Sequence, residues 1–296
     1  MLPRSVIPPL LSLAMLLVLG FSLGQAGSKT GQLEEELRAS LEPGGVVLVT
    51  SRFDVAGEDL DPELARVMAD SAEDAFSSLP RRFVEPDLRV RLNVSAPDTE
   101  GECPQRPWSI LALGKGYVTL RYDPAWSPST LRRILAHEFA HVYHFASLKR
   151  LGYSGRGGDE ILIEGCATWL AREAWLSGLG FESFEAAVAS YLAQGDHVDM
   201  GNYYEADLAE LAADEAGCIA LRDRVYTQWA GFIDFLESRF GHEKVMAASG
   251  QVRPFRYQPD GNRSYLPLDY QAVFGMSLEE LQRAWLDVLA AGASGN

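Results

Sequence analysis

The sequence predicts an α+β fold, and two observations carry that prediction. Every strand-like run lies before residue 123, and from Ser127 onward apolar residues recur mainly at helical spacing. Between the two regimes stands an apolar run at 134–143 that contains His137-Glu138-x-x-His141.

Arg4, the apolar stretch 10–23 and the small residues around Ala26 read as an export signal over residues 1–26, cut near Ala26. The stretch is short for a membrane span, so no stable membrane insertion is expected once it is removed; an uncleaved anchor is the other reading. Residues 27–43 are polar and read as a linker. The rest divides into a mixed lobe at 44–150 and a helical lobe at 151–296.

The β-branched run 45–51 reads as a strand. Asp61-Pro62 opens a helix, with Leu64, Val67, Met68, Ser71, Ala72 and Ala75 at helical spacing and Pro80 just beyond. Residues 88–94 alternate and read as a strand with one wet face. The Pro-, Gly- and charge-rich segment 95–114 reads as a loop, and 117–122 as a third strand. Ser127-Pro128 starts a helix that runs to about Lys149, with Ser as N-cap and Pro in the first turn. Glycines at 152, 155, 157 and 158 form a loop, and Asp159 caps a helix that Gly178 to Gly180 end. Helical pieces are expected at 183–193 and 205–213. An apolar helix at 226–240 is closed by Gly241, residues 251–266 read as a loop, and 278–289 as a last amphipathic helix.

The net charge of −15 makes nucleic acid and anionic membranes poor partners. An apolar content of 47% indicates a globular chain and not a disordered one. The three cysteines, Cys103, Cys166 and Cys218, have no zinc-finger spacing. In an oxidising compartment Cys103 can pair with Cys218, leaving Cys166 buried; three free thiols is the competing reading.

On a helix, residues i and i+4 share a face, so His137 and His141 can present two imidazoles to one metal ion. Glu138 is about 100° further round, where it reaches a metal-bound water and not the metal. Two His ligands with a Glu base is the arrangement of zinc hydrolases. Catalytic zinc takes a third protein ligand, and Glu164 is the best placed. Residues 142–163 leave room for one helix to end and a second to return, and Gly165 lets the two approach closely. Ile161, Leu162, Ile163, Ala167 and Trp169 surround Glu164, and an unpaired carboxylate there would be costly. Glu160 and Asp159 are weaker candidates. His144 reads as a packing or helix-surface residue, and His197 and His242 as surface residues.

With His137-Glu138-x-x-His141 followed by Glu164-Gly165-x-Ala167, the sequence resembles the gluzincin metallopeptidases, and more closely the small peptidase-MA-like domains. The resemblance covers about residues 44–290. It extends to an apolar helix led by Tyr226, then Phe240-Gly241, Phe274-Gly275, the run 278–281 and Trp285. It implies a zincin-like fold with a mixed N-terminal lobe, a helical C-terminal lobe and Zn2+ in the cleft between them. Two departures stand out. The positions before Glu164 lack the Pro-x-Trp-Leu run common in these domains. Thr168 also stands where thermolysin-like enzymes place an Asp that orients a ligand His.

The resemblance implies a zinc-dependent metallopeptidase acting on peptide or protein substrates. His137, His141 and Glu164 would hold zinc, and Glu138 would be the general base. Family enzymes steady the oxyanion with a Tyr or His. Tyr226 is the preferred candidate, with Tyr203 and Tyr204 behind it. The alternatives are a non-catalytic exported protein on a degenerate peptidase fold and a zinc hydrolase of a non-peptide amide.

Overall fold

Five strands form one mixed sheet in the order β1-β2-β3-β5-β4. β1 (Gly45–Val49) and β2 (Phe53–Gly57) make an antiparallel hairpin. Its turn is held by Thr50, whose Oγ1 accepts the backbone N–H of Arg52 and Phe53. α1 (Pro62–Ser77) then carries the chain to β3 (Val90–Ser95), which lies parallel to β2. β5 (Lys115–Arg121) lies parallel to β3, and β4 (Trp108–Ala112) closes that side antiparallel to β5. The computed structural model describes residues 35–81, 87–96, 107–153, 158–200, 215–253, 255–257, 263–266 and 268–293.

The remainder is mainly helical: α2 (Pro128–Arg150), α3 (Glu160–Leu170), α4 (Arg172–Leu179), α5 (Phe184–Gln194), α6 (Glu215–Phe240), α7 (His242–Ser249), α8 (Tyr270–Phe274) and α9 (Leu278–Ala293). A small hairpin, β6 (Phe255–Tyr257) with β7 (Arg263–Tyr265), precedes α8. The α+β class expected from the sequence is present. Among the described residues no helix is long and apolar enough to cross a membrane. Residues 1–26, where the export signal was expected, lie outside the described residues, as do the expected helix at 205–213 and Cys103.

Several expectations need correction. Part of the expected linker is structured: residues 35–41 are helical and Leu41 is buried. This segment covers the face of the sheet that points away from the helices. There Arg91 Nη2 donates to the carbonyls of Pro43 and Gly44, Asn93 Nδ2 to that of Leu41, and the Tyr117 hydroxyl to Glu42. The face expected to be wet is therefore polar but covered. Burial and the adjacent Glu42 carboxylate push Tyr117 up to about 12.

The segment read as a loop at 95–114 contains β4, which turns into β5 through Leu113 and Gly114, both at positive φ. β2 also escaped the sequence reading, because it is buried on both faces and shows no alternation. The single helix expected after Asp159 is two, α3 and α4, divided at Ala171. The helix expected to open at Tyr226 begins at Glu215, so Tyr226 lies well inside it.

α2 is the axis of the molecule. Ser127 accepts the N–H of Thr130 at its start, and its middle is buried all round from Leu135 to His144. One apolar core runs from Phe53, Val90, Leu92 and Leu120 of the sheet, through Phe139 of α2, into the C-terminal helices. The two expected lobes thus share a continuous core across residue 150.

Candidate metal centre

His137 and His141 leave the same face of α2, and Glu164 on α3 meets them. The Nε2 atoms of the two rings are 3.0 Å apart, and each lies 3.1 Å from Glu164 Oε2. These three residues are the one group of metal-ligating side chains of this kind among the described residues. Gly165, expected to let α3 approach α2, instead lets α3 approach α6. A Cβ there would come 2.9 Å from Ile233 Cγ1 and 3.0 Å from the carbonyl oxygen of Trp229, both on α6. α3 is fixed at its start by Asp159, which is fully buried. It caps the helix through the N–H of Ile161 and accepts from the Leu268 N–H and the Tyr270 hydroxyl.

The donor set fits zinc. Three ligand atoms at tetrahedral angles, each ~2.0–2.1 Å from the ion, would stand about 3.3–3.4 Å apart. The observed triangle is a few tenths of an ångström tighter. Two ring nitrogens and a carboxylate oxygen converging on one point call for a cation or protons between them. His137 is also oriented from behind, since its Nδ1 lies 3.2 Å from Thr168 Oγ1, a fully buried hydroxyl. In that arrangement Nδ1–H donates to Thr168 and Nε2 turns its lone pair to the point on which the three ligand atoms converge.

Glu138 does not join the triangle. It is buried, lines the same cavity, and its Oε2 has no hydrogen-bond partner among the described residues. Tyr226 is brought to the site: its ring stacks on His137 with centroids 5.4 Å apart and planes 18° from parallel. Tyr203 and Tyr204 lie outside the described residues. Glu160 caps no ligand position and instead faces Arg253 at 3.5 Å, while Asp159 is used in the helix cap described above.

His144 is not a surface residue. It is buried, and its Nε2 lies 2.9 Å from Ser249 Oγ on α7. Burial, reinforced by the nearby His141 and His242, brings it down to about 3, so it is neutral in the folded protein. Ser249 Oγ donates to the Met246 carbonyl, so Nε2–H is the donor and Nδ1 the bare nitrogen. His242 is half-buried against Glu237 at 2.7 Å, and His197 is half-buried. Cys166 is a free thiol that burial pushes well up, and Cys218 is disulfide-bonded.

The cavity around the triangle has a volume of about 450 Å³, within the usual range for ligand sites. Its walls come from β4 (Trp108), α2, α3, α4 (Trp175) and α6. Sequence reasoning missed the wall residues Arg133, Trp175 and Asp223. Arg133 had a readable signal, since it precedes His137 by four residues and so shares its helix face.

Comparison with family models, with curated proteins and with solved structures gives no match for this chain.

Proposed function

We propose that this chain is an exported zinc-dependent metallopeptidase with a zincin-like fold. One observation carries the reading. Three ligand atoms converge from two helices, and a separate buried carboxylate, Glu138, lines the same cavity and has an oxygen without a hydrogen-bond partner among the described residues. A structural cluster has no use for that extra carboxylate, whereas hydrolysis needs a base beside the metal.

His137, His141 and Glu164 would hold the ion, with Thr168 fixing the His137 tautomer. Zinc, when bound, brings the pKa of a coordinated water toward neutrality and polarises a carbonyl. Glu138 takes the proton from the attacking water and delivers it to the leaving nitrogen. Tyr226, packed on His137, is the hydroxyl proposed to steady the developing oxyanion. Trp175 and Tyr226 shed water from the cleft wall, so charges within it act in a low dielectric.

β4 supports a peptide as the substrate. It is the outer strand of the sheet, Trp108 and Ser109 line the cavity, and among the described residues no strand pairs with its far edge. An extended chain can add to such an edge through backbone hydrogen bonds. The disulfide at Cys218 supports the export reading, since such bonds persist in oxidising compartments.

The test is metal analysis of the purified protein followed by assay against a diverse peptide library. Close to one zinc per chain and cleavage that a chelator abolishes are expected. Metal-free protein after zinc-replete preparation would refute the reading. Bound zinc without peptide cleavage would turn it toward a non-peptide amide.

A further inference from the structure

The cavity wall carries a buried guanidinium that the hydrolytic machinery does not use. Arg133 stands one helical turn before His137 on α2, and both side chains face the cavity. Only 8% of the Arg133 side chain is exposed. Three neighbours fix it. Nη1 lies 2.5 Å from Asp223 Oδ1 on α6, and the guanidinium carbon sits 4.8 Å from the centre of the Trp175 ring. Gly178 leaves room for its stem, because a Cβ there would come 3.1 Å from Arg133 Cδ.

The pairing with Asp223 matches charge but not direction. Nε and Nη1 are sealed in protein and neither has a hydrogen-bond acceptor aligned with it among the described residues. Nη2 is not sealed in this way and makes no hydrogen bond with a described residue. A guanidinium has five N–H donors in one plane, and a buried one is costly unless those donors are used. Trp175 and Asp223 hold the plane, leaving the Nη2 edge for something in the cavity. The ring of Trp175 is 5.4 Å from that of His137. The guanidinium is therefore at most about 10 Å from the His137 ring, within reach of a side chain or chain end next to the bond being cut.

We infer that Arg133 is the specificity-determining residue of this cleft, and that preferred substrates carry a carboxylate beside the scissile bond. The carboxylate belongs either to an acidic side chain or to a free C-terminus, and one of its oxygens would accept a charge-assisted hydrogen bond from Nη2. A protein with a net charge of −15 repels acidic peptides at long range, so acceptance of one depends on a local cation such as this. The inference rests on the peptidase reading of the site, and its test separates the two.

The zinc-loaded full chain is assayed with matched peptides, Glu against Gln next to the scissile bond and free acid against amide at the C-terminus. One charged member should be cleaved with a kcat/KM roughly ten- to a hundredfold above its neutral partner, the scale of a charge-assisted hydrogen bond. Which pair discriminates identifies the source of the carboxylate. Arg133→Gln should bring that ratio close to one while zinc content stays at the parent level. A ratio near one in the parent, or one that survives Arg133→Gln, overturns the inference. Arg133→Met, which keeps a stem on Trp175, repeats the test if Arg133→Gln does not fold.

A binding arm needs no turnover. Glu138→Gln protein is titrated calorimetrically with N-acetylglutamate and N-acetylglutamine, with and without the Arg133 substitution. Tighter binding of the acid that disappears with Arg133 supports the carboxylate site even if no peptide is cleaved and the peptidase reading fails. Equal binding of the two overturns it.

Discussion

At the scale of single residues, the candidate centre separates a group that binds metal from one that moves a proton. Glu138→Gln keeps size and removes proton acceptance, so it should leave zinc content unchanged and lower turnover by about 10²–10⁴-fold. Glu164→Gln removes a charged member of the triangle, so zinc affinity should fall along with activity. Equilibrium dialysis beside steady-state assays separates the two, and zinc loss in Glu138→Gln with retention in Glu164→Gln would reverse the assignment. Thr168 is the third test. Thr168→Val removes the acceptor behind His137 Nδ1 and should weaken zinc binding by about 10–100-fold, the usual effect of losing such a partner. Thr168→Ser should restore most of it; equal affinity in all three proteins would mean that the hydroxyl does not orient the ring. The members of this site that sit on one helix were legible in the sequence, because helical period converts spacing into direction. Glu164 was legible because a carboxylate amid apolar neighbours needs a purpose. Asp223 and Trp175 were not, since their relation to Arg133 depends on how α4 and α6 cross α2.

At the scale of elements, the site depends on how closely α3 lies against α6. Gly165→Ala sets two effects against each other. Helix propensity gains up to about 1 kcal/mol, while forcing a methyl against Ile233 and the Trp229 carbonyl costs about 1–3 kcal/mol. A carbonyl inside a helix yields less easily than a side chain, so the cost should win. Thermal melts of the metal-free protein should show a lower midpoint, and zinc affinity should fall because Glu164 moves with its helix. An unchanged midpoint would mean that the helices separate freely. Elements whose ends carry chemical punctuation were readable: Asp61-Pro62, Ser127-Pro128 and Asp159 each begin a helix where expected. The elements that were not readable lacked either period or punctuation. β2 has both faces buried, and β4 turns at Leu113-Gly114, where leucine takes a left-handed conformation that few leucines adopt. The break at Ala171 has no Gly or Pro to announce it, and α4, which follows it, starts without a side-chain cap.

At the scale of the whole molecule, α2 joins the sheet to the C-terminal helices, and His144 makes one of those joints with Ser249 of α7. Folded, His144 stays neutral down to about 3; unfolded, it takes a proton near its ordinary value of 6.5. Between those limits the unfolded chain binds the extra proton, so the His144 contribution falls as pH falls from 6.5 toward 3 and is constant above 6.5. The limiting slope is about 1.4 kcal/mol per pH unit. Urea titrations at pH 7 and pH 5 should show this loss in the parent and a smaller one in His144→Gln; equal losses would place the acid sensitivity elsewhere. On the opposite side of the sheet, the anchoring of residues 35–44 sets where the chain tolerates shortening. A chain that starts at residue 35 keeps every carbonyl that Arg91 and Asn93 use and the carboxylate that meets Tyr117. One that starts at residue 45 strips those partners away and opens three polar side chains to solvent on a face built to be covered. The first should express as a folded monomeric or oligomeric species with a single sharp melt. The second should collect in inclusion bodies or melt well below it, so that the practical edge of the domain lies within a ten-residue window upstream of the first strand.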